Sequence, residues 1–130
     1  MKKILIVDDE KMVVQVLRAV LEDRGYSVLV AMDGVQAIMQ ATKNRPDLII
    51  LDIMMPAGGG ITVYNRLKQS VDTQNIPVIF LTAMPPQNIE DQLPANENVI
   101  VYKKPWKQKT LLSLIEKVLA HQPIEPTSSE

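Results

Sequence analysis

The residues best suited to chemistry in this sequence are acids, a hydroxyl and an amine that follow runs of branched apolar residues. They are Asp8, Asp9, Glu10, Asp52, Thr82 and Lys104. Carboxylates at close range repel one another, so a cluster of them at the end of a buried strand usually holds a cation. An all-oxygen site of carboxylates and water molecules suits octahedral Mg²⁺. If Asp8, Asp9 and Asp52 come together, they therefore form a magnesium site.

The elements that must position these residues begin with short apolar runs rich in Val and Ile. Such runs are typical of strands buried on both faces of a parallel sheet. They lie at residues 4–7, 28–30, 48–51, 78–81 and 99–101. Strands that alternate with helices require right-handed crossovers. The sequence therefore predicts a single-domain α/β fold, a doubly wound five-stranded parallel sheet with helices on both faces.

Amphipathic patterns predict four helices between and after these strands. The first is expected to bury the face formed by Met12, Val13, Val16, Leu17, Val20 and Leu21. The second opens at Asp33, a good N-cap, and ends before Arg45. The third follows Gly60 and stops before Ile76, and the last covers roughly residues 108–120.

The doubly wound fold predicts where the chemistry takes place, because its ligand site lies beyond the carboxyl ends of the strands. Asp52 follows the third strand, at the centre of that edge, where a carboxylate beside Mg²⁺ is a poised nucleophile for a phosphoryl group. Lys104 supplies a positive charge for a phosphoryl oxygen, and Thr82 a hydrogen bond for another. The predicted chemistry is phosphoryl transfer to Asp52.

Composition excludes several other kinds of protein. The chain has 130 residues, a net charge of −1, no cysteine and one histidine, which leaves no disulfide framework, no zinc centre and no basic nucleic-acid surface. The first apolar run stops at Asp8, too short for a signal peptide or a membrane span. A cytoplasmic domain over residues 1–121 is expected, followed by a flexible tail or linker at 122–130 that is rich in Pro and Ser.

Four motifs over about residues 2–120 resemble the receiver domain of two-component response regulators. They are Asp8-Asp9 after the first strand, LDIMMP around Asp52, PVIFLTA ending in Thr82-Ala83, and KKPW with Lys104-Pro105. The resemblance implies the flavodoxin-like receiver fold. It also implies that Asp52 accepts a phosphoryl group from a sensor histidine kinase, a phosphotransfer protein or a small phosphodonor.

The resemblance further implies that Asp8, Asp9 and the backbone carbonyl of Met54 help Asp52 to bind Mg²⁺, and that the peptide bond before Pro105 is cis. Phosphorylation would draw Thr82 inward and change the face made by the fourth crossover, the fifth strand and the last helix. A downstream protein or a fused output domain would read that face. The chain would be a switch that slowly loses its phosphoryl group rather than a turnover enzyme, and a monomer until phosphorylation permits dimerisation.

Three features depart from the family pattern. The family's PGMDG is PAGGG here, which predicts a looser loop beside the site because Gly carries the greatest backbone entropy. The family's aromatic three residues before the active-site lysine is Val101, and Tyr102, one residue later, is expected on the opposite face of the strand as a surface or partner contact. The prolines of the fourth crossover predict a short, mobile helix there, and Lys107 is a poor N-cap for the last helix.

Three alternative functions share parts of this pattern. A haloacid-dehalogenase phosphatase uses a similar Asp, Mg²⁺, Thr and Lys, but it needs a second Asp two residues after its nucleophile; Met54 occupies that position, and Glu10 is the nearest imitation. A flavin mononucleotide binder needs a phosphate loop after the first strand, where DDEKM would repel the phosphate. A receiver that docks partners without being phosphorylated keeps the fold and loses the chemistry.

Overall fold

The computed structural model describes residues 1–53, 59–82, 99–103 and 106–120. Five strands form one parallel sheet, in the order β2-β1-β3-β4-β5. They are β1 (Lys3–Val7), β2 (Ser27–Ala31), β3 (Leu48–Leu51), β4 (Val78–Thr82) and β5 (Val99–Lys103). Each predicted strand is confirmed to within two residues at either end. The strand order reverses between β1 and β3, so the edge beyond their carboxyl ends is the topological switch point of the fold.

Four helices within the described ranges cover the two faces of the sheet. They are α1 (Lys11–Asp23), α2 (Gly34–Asn44), α3 (Gly59–Lys68) and α4 (Gln108–Leu119). One buried cluster joins α2 and α3 to the sheet, and the other joins α1 and α4 to the opposite face. The predicted doubly wound architecture is confirmed. No helix of the described ranges has the length and apolar character needed to cross a membrane.

The predicted inner face of α1 is partly wrong. Leu17 and Leu21 are buried as expected, but Met12 and Val16 are 76% and 49% exposed. Val14, which was not assigned to the inner face, is buried instead. Apolar residues cover more than half of the circumference of this helix, so the pattern alone does not select the face that meets the sheet. The face that meets the sheet is the one formed by Val14, Leu17 and Leu21, which are three and four residues apart and are all buried.

The ends of the helices follow local chemistry. The carboxylate of Asp33 accepts a hydrogen bond from the Gln36 amide at 2.8 Å, which confirms the predicted N-cap of α2. The same helix ends at Arg45 with a positive φ of 45°, a conformation that non-glycine residues rarely adopt. Gly25, after α1, has a φ of 89°, as expected for a residue that follows a helix.

The chain between α3 and β4 is fixed by Lys68. Its ammonium group donates to the backbone carbonyls of Gln74 and Ile76 at 2.8 and 3.2 Å, and lies 5.2 Å from the centre of the Tyr64 ring. Burial lowers the pKa of Lys68. Helix α3 ends at Lys68, several residues before the predicted limit at Ile76, and the intervening segment forms turns that the Lys68 side chain holds through these two carbonyls.

The junction between β3 and α3 requires glycine at two positions. Gly59 has a φ of 71°, and a Cβ placed there would lie 2.5 Å from the carbonyl oxygen of Ile53. A Cβ on Gly60 would lie 2.2 Å from the carbonyl oxygen of Asp52. The amide of Gly60 donates to the carbonyl of Ile53 at 2.9 Å. These two glycines are the first residues of α3, and they allow its first turn to lie against the end of β3.

We expect Gly60→Ala to lower the free energy of unfolding by about 2–3 kcal/mol, because the new methyl group meets immobile backbone. Urea denaturation monitored by circular dichroism measures this change. Gly34→Ala is the matched control: its Cβ would lie 3.1 Å from a methyl group of Val63, which can shift. The control should stay within about 1 kcal/mol of the wild type. Equal stability of the two variants would contradict the close approach at Gly60.

Candidate functional site

The site lies where β1 and β3 end side by side. The amide of Asp52 donates to the carbonyl of Val7 at 2.9 Å, and the amide of Asp8 donates to the carbonyl of Ala31 at 3.2 Å. These bonds continue the parallel ladders by one residue beyond the strands. They place the two aspartates next to each other at the carboxyl edge, and each is only 3% exposed.

A third carboxylate joins the two aspartates, and it comes from Glu10 rather than from Asp9. One carboxylate oxygen from each of Asp8, Glu10 and Asp52 lies within 4.8 Å of the other two. The local cause is a hydrogen bond of 2.9 Å from the Glu10 amide to the side chain of Asp8, which turns the chain back toward the site. Asp9 is exposed and is not a member of this group.

The sequence predicts a magnesium site of Asp8, Asp9 and Asp52 and offers Glu10 as one of the candidate acids. The signal that points to it is the Asp-X-Glu spacing directly after a buried strand. An aspartate side chain commonly accepts a hydrogen bond from the amide two residues later, and this bond draws that residue inward. Spacing by itself does not determine which of two adjacent acids faces the site.

The donor set fits a hard divalent cation. All three groups offer carboxylate oxygens, the ligands that Mg²⁺ prefers, and Glu10 is exposed to solvent, which can supply water ligands. Two buried carboxylates at this separation are unfavourable unless positive charge compensates them. The geometry can therefore bring a cation into contact with Asp52, the acid that extends the central strand β3.

Several predicted site residues lie outside the described residues. These are Met54, Lys104, the bond before Pro105 and the side chain of Thr82. The backbone of Thr82 ends β4 and pairs with Lys103, so its position at the same edge as Asp52 is described. Outside the described residues, too, lie residues 83–98 of the fourth crossover, residues 54–58, which include the first three of the PAGGG stretch, and the tail 121–130.

The expected positions of Val101 and Tyr102 on opposite faces of β5 are confirmed. Val101 packs against the cluster on the α2/α3 face, next to Phe80 in the register. Tyr102 packs against the cluster on the α1/α4 face. Its hydroxyl accepts a hydrogen bond from the Lys107 amide at 3.2 Å, so this side chain makes an internal contact in addition to its partly exposed surface.

Comparison with known proteins identifies relatives along the whole chain. The family model described as "Response regulator receiver domain" matches residues 4–116. The regulatory protein PhoP of alkaline phosphatase synthesis from Bacillus subtilis is 35% identical over 130 residues, which cover 99% of this chain and 53% of that protein. The response regulator PleD of Caulobacter vibrioides is 44% identical over 82 residues, or 63% of this chain and 18% of PleD. The chain thus spans about half or less of these relatives.

Solved structures show the same fold. The chemotaxis protein CheY4 of Vibrio cholerae superposes with a TM-score of 0.84 at 30% identity, covering 91% of this chain and 98% of CheY4. A signal receiver domain of a histidine kinase from Syntrophus aciditrophicus has a TM-score of 0.83 at 31% identity, covering 100% and 97% of the two chains.

A third structure bears on the acid cluster. The receiver domain of the sensor histidine kinase PA1611 from Pseudomonas aeruginosa has a TM-score of 0.82 at 28% identity, covering 92% of this chain and 98% of that domain. That structure has a magnesium ion coordinated in its active-site cleft. The family match, the relatives and the shared fold agree with the acid edge and its order of motifs: this chain belongs to the receiver-domain family of two-component response regulators.

Proposed function

We propose that Asp52 is the phosphoacceptor of this receiver domain and that Asp8, Glu10 and Asp52 hold Mg²⁺ beside it. The observation that carries the proposal is the convergence of three carboxylate oxygens within 4.8 Å at the switch point of the sheet. Family membership directs this geometry toward phosphoryl transfer rather than toward phosphatase turnover or flavin binding.

The reaction follows from the position of Asp52. One of its carboxylate oxygens attacks the phosphorus of a phosphohistidine or an acyl phosphate, and a P–O bond to Asp52 forms as the bond to the leaving group breaks. The leaving imidazole or carboxylate keeps the electron pair of that bond. A bound Mg²⁺ supplies charge neutralisation for the phosphoryl oxygens. Lys104 and Thr82 are proposed to contact two of those oxygens, and later attack by water returns Asp52 and free phosphate.

The proposal predicts the gain of a single phosphoryl group on incubation with acetyl phosphate and Mg²⁺, measured by intact mass. The adduct should be stable in acid and labile in base, as an acyl phosphate is. It should be absent from Asp52→Asn and from wild type treated with a chelator. Asp72→Asn, which changes an exposed aspartate paired with Arg45, should behave like wild type. No gain by a wild type that binds Mg²⁺ would favour a docking module that works without phosphorylation.

Two ligand sets are compared: Asp8, Glu10 and Asp52 from the structure, and Asp8, Asp9 and Asp52 from the sequence. They predict different effects of substitutions on the affinity for Mg²⁺, which titration calorimetry measures. Because Glu10 belongs to the carboxylate group and Asp9 does not, Glu10→Gln should weaken Mg²⁺ binding about tenfold or more. Asp9→Asn removes an equal charge at a neighbouring exposed position and should weaken binding less than about threefold, through screened long-range attraction alone. The reverse order of effects would support the ligand set Asp8, Asp9 and Asp52 and would remove Glu10 from the site.

We propose that the protein that donates the phosphoryl group docks on the exposed apolar side of α1. Met12 lies in the first turn of that helix, directly after the acids of the site, and Val16 lies one turn further on. Both side chains are largely exposed although they are apolar. Because α1 begins next to the acids of the site, a histidine kinase or phosphotransfer protein docked on this surface would have its phosphohistidine near Asp52, and burying exposed apolar groups favours the complex.

This docking surface is tested by the double substitution Met12→Ser with Val16→Ser. Phosphoryl transfer from a phosphorylated histidine kinase that phosphorylates the wild type should slow about tenfold, as expected for the loss of two interface anchors. Phosphorylation by acetyl phosphate should not change, because the small donor needs no docking surface. Val71→Ser is the control, since Val71 is 81% exposed in the turns before β4, at the opposite end of the sheet. Equal slowing with both donors would contradict a docking role.

The remaining steps of signalling are proposed from family membership. The phosphorylated domain would act on a downstream protein or a fused output domain in the cytoplasm, without direct contact to nucleic acid. It would be a phosphorylation switch with slow loss of the phosphoryl group, and a monomer in the unphosphorylated state. The relatives PhoP and PleD extend well beyond the length matched here, which supports an output carried outside the receiver fold.

A further inference from the structure

Tyr102 connects the end of the last strand to the start of the last helix. Its ring packs with Trp106 against the cluster on the α1/α4 face, and its hydroxyl accepts a hydrogen bond from the backbone amide of Lys107 at 3.2 Å. The bond joins residues five apart in the sequence. Residues 103–106 therefore lie between two points, Tyr102 and Lys107, that are joined to each other and, through the Tyr102 ring, to the cluster on the α1/α4 face.

The hydroxyl supplies one of the two hydrogen bonds of a capping box, the one to the N-cap amide. Lys107 is the N-cap of α4, has an extended backbone and makes no side-chain capping bond, as its sequence predicted. In a capping box, a Glu or Gln three residues into the helix accepts a hydrogen bond from the N-cap amide. That position in α4 is Thr110, and the Lys107 amide is bonded by Tyr102 instead. The start of the helix thus depends on a side chain of the neighbouring strand.

The segment that this bond spans carries Lys104, the lysine of the family motif. Lys103 is the last residue of β5 and pairs with Thr82 of β4, so Lys104 follows directly after the ladder ends. Lys104 is two residues after Tyr102 and three before Lys107. A lysine side chain is long and flexible, so the place its ammonium group reaches depends on how firmly the backbone around it is held.

We propose that Tyr102 is a positioning residue for Lys104 in phosphoryl transfer to Asp52. The inference rests on the proposed function, because it needs Lys104 to contact the phosphoryl group. The Tyr102 hydroxyl acts through the backbone: it holds the first turn of α4 at a fixed distance from the end of β5. Small displacements of a group that stabilises a transition state slow the reaction severely, so the loss of this bond should reduce the rate.

The test removes only the hydroxyl, by Tyr102→Phe, which keeps the ring packed against the cluster on the α1/α4 face. Phosphorylation by acetyl phosphate should slow about fivefold, the factor that corresponds to one hydrogen bond of roughly 1 kcal/mol. Mg²⁺ affinity should not change, because Asp8, Glu10 and Asp52 lie on other elements. Amide exchange at Lys107 should become faster. Tyr26→Phe, which removes the hydroxyl of another tyrosine packed against the same cluster, should leave the rate unchanged.

A double-mutant cycle separates positioning from general destabilisation. If Tyr102 acts through Lys104, Tyr102→Phe should have no further effect on the rate in a Lys104→Ala background. The same fivefold loss in both backgrounds would overturn the proposal, and so would an unchanged rate or unchanged Lys107 exchange in Tyr102→Phe alone. If the wild type takes up no phosphoryl group, the proposed function itself fails; if it does and Tyr102→Phe matches it, only the role of Tyr102 fails.

Discussion

The organisation of this domain depends on holding like charges together at one edge of the sheet. The carboxylates of Asp8 and Asp52 repel each other, yet the ladder bonds from Asp52 to Val7 and from Asp8 to Ala31 leave them adjacent and buried. The pairing of β1 with β3, which are buried on both faces, opposes this repulsion. A cation at the edge would offset the repulsion between these carboxylates, so the geometry that brings them together also favours binding of a cation.

The surroundings of the site show that the glycines beside it are a steric requirement. The first turn of α3 lies so close to the backbone of Asp52 and Ile53 that any side chain at Gly59 or Gly60 would enter that space. Glycine at these positions lowers stability in one respect, because it loses more backbone conformational entropy on folding than any other residue. The same helix packs its Tyr64 against Phe80 of β4, so α3 contacts both β4 and the end of β3, the strand that precedes Asp52.

The strands were predictable because their Val- and Ile-rich runs are bounded by acids, glycines and prolines, whereas the details that depend on packing were not. The inner face of α1 was wrong at Met12 and Val16, since its apolar residues surround most of the helix. The end of α2 at Arg45 uses a backbone conformation that sequence normally assigns to glycine. The membership of Glu10 in the acid group depends on a hydrogen bond to Asp8, which a count of spacings does not reveal. The expectation of a looser loop over the PAGGG stretch stays a prediction, because its first three residues lie outside the described residues. The need for glycine at Gly59 and Gly60 comes from the close approach to the backbone at the end of β3, which the sequence does not reveal.

The aromatic residue of β5, Tyr102, lies on the α1/α4 face of the sheet, whereas Val101 lies on the α2/α3 face. A movement of β5 therefore has different consequences on the two faces. On the α2/α3 face, Val101 is β-branched and packs beside Phe80, so a rotamer change there would move only two methyl groups. On the α1/α4 face, Tyr102 reaches past the end of the strand and bonds the helix start. A displacement of β5 on this second face changes the distance between the Tyr102 hydroxyl and the Lys107 amide, and a hydrogen bond weakens steeply with distance and angle. Strand β5 is therefore linked to the start of α4 by a side-chain hydrogen bond as well as by the chain itself.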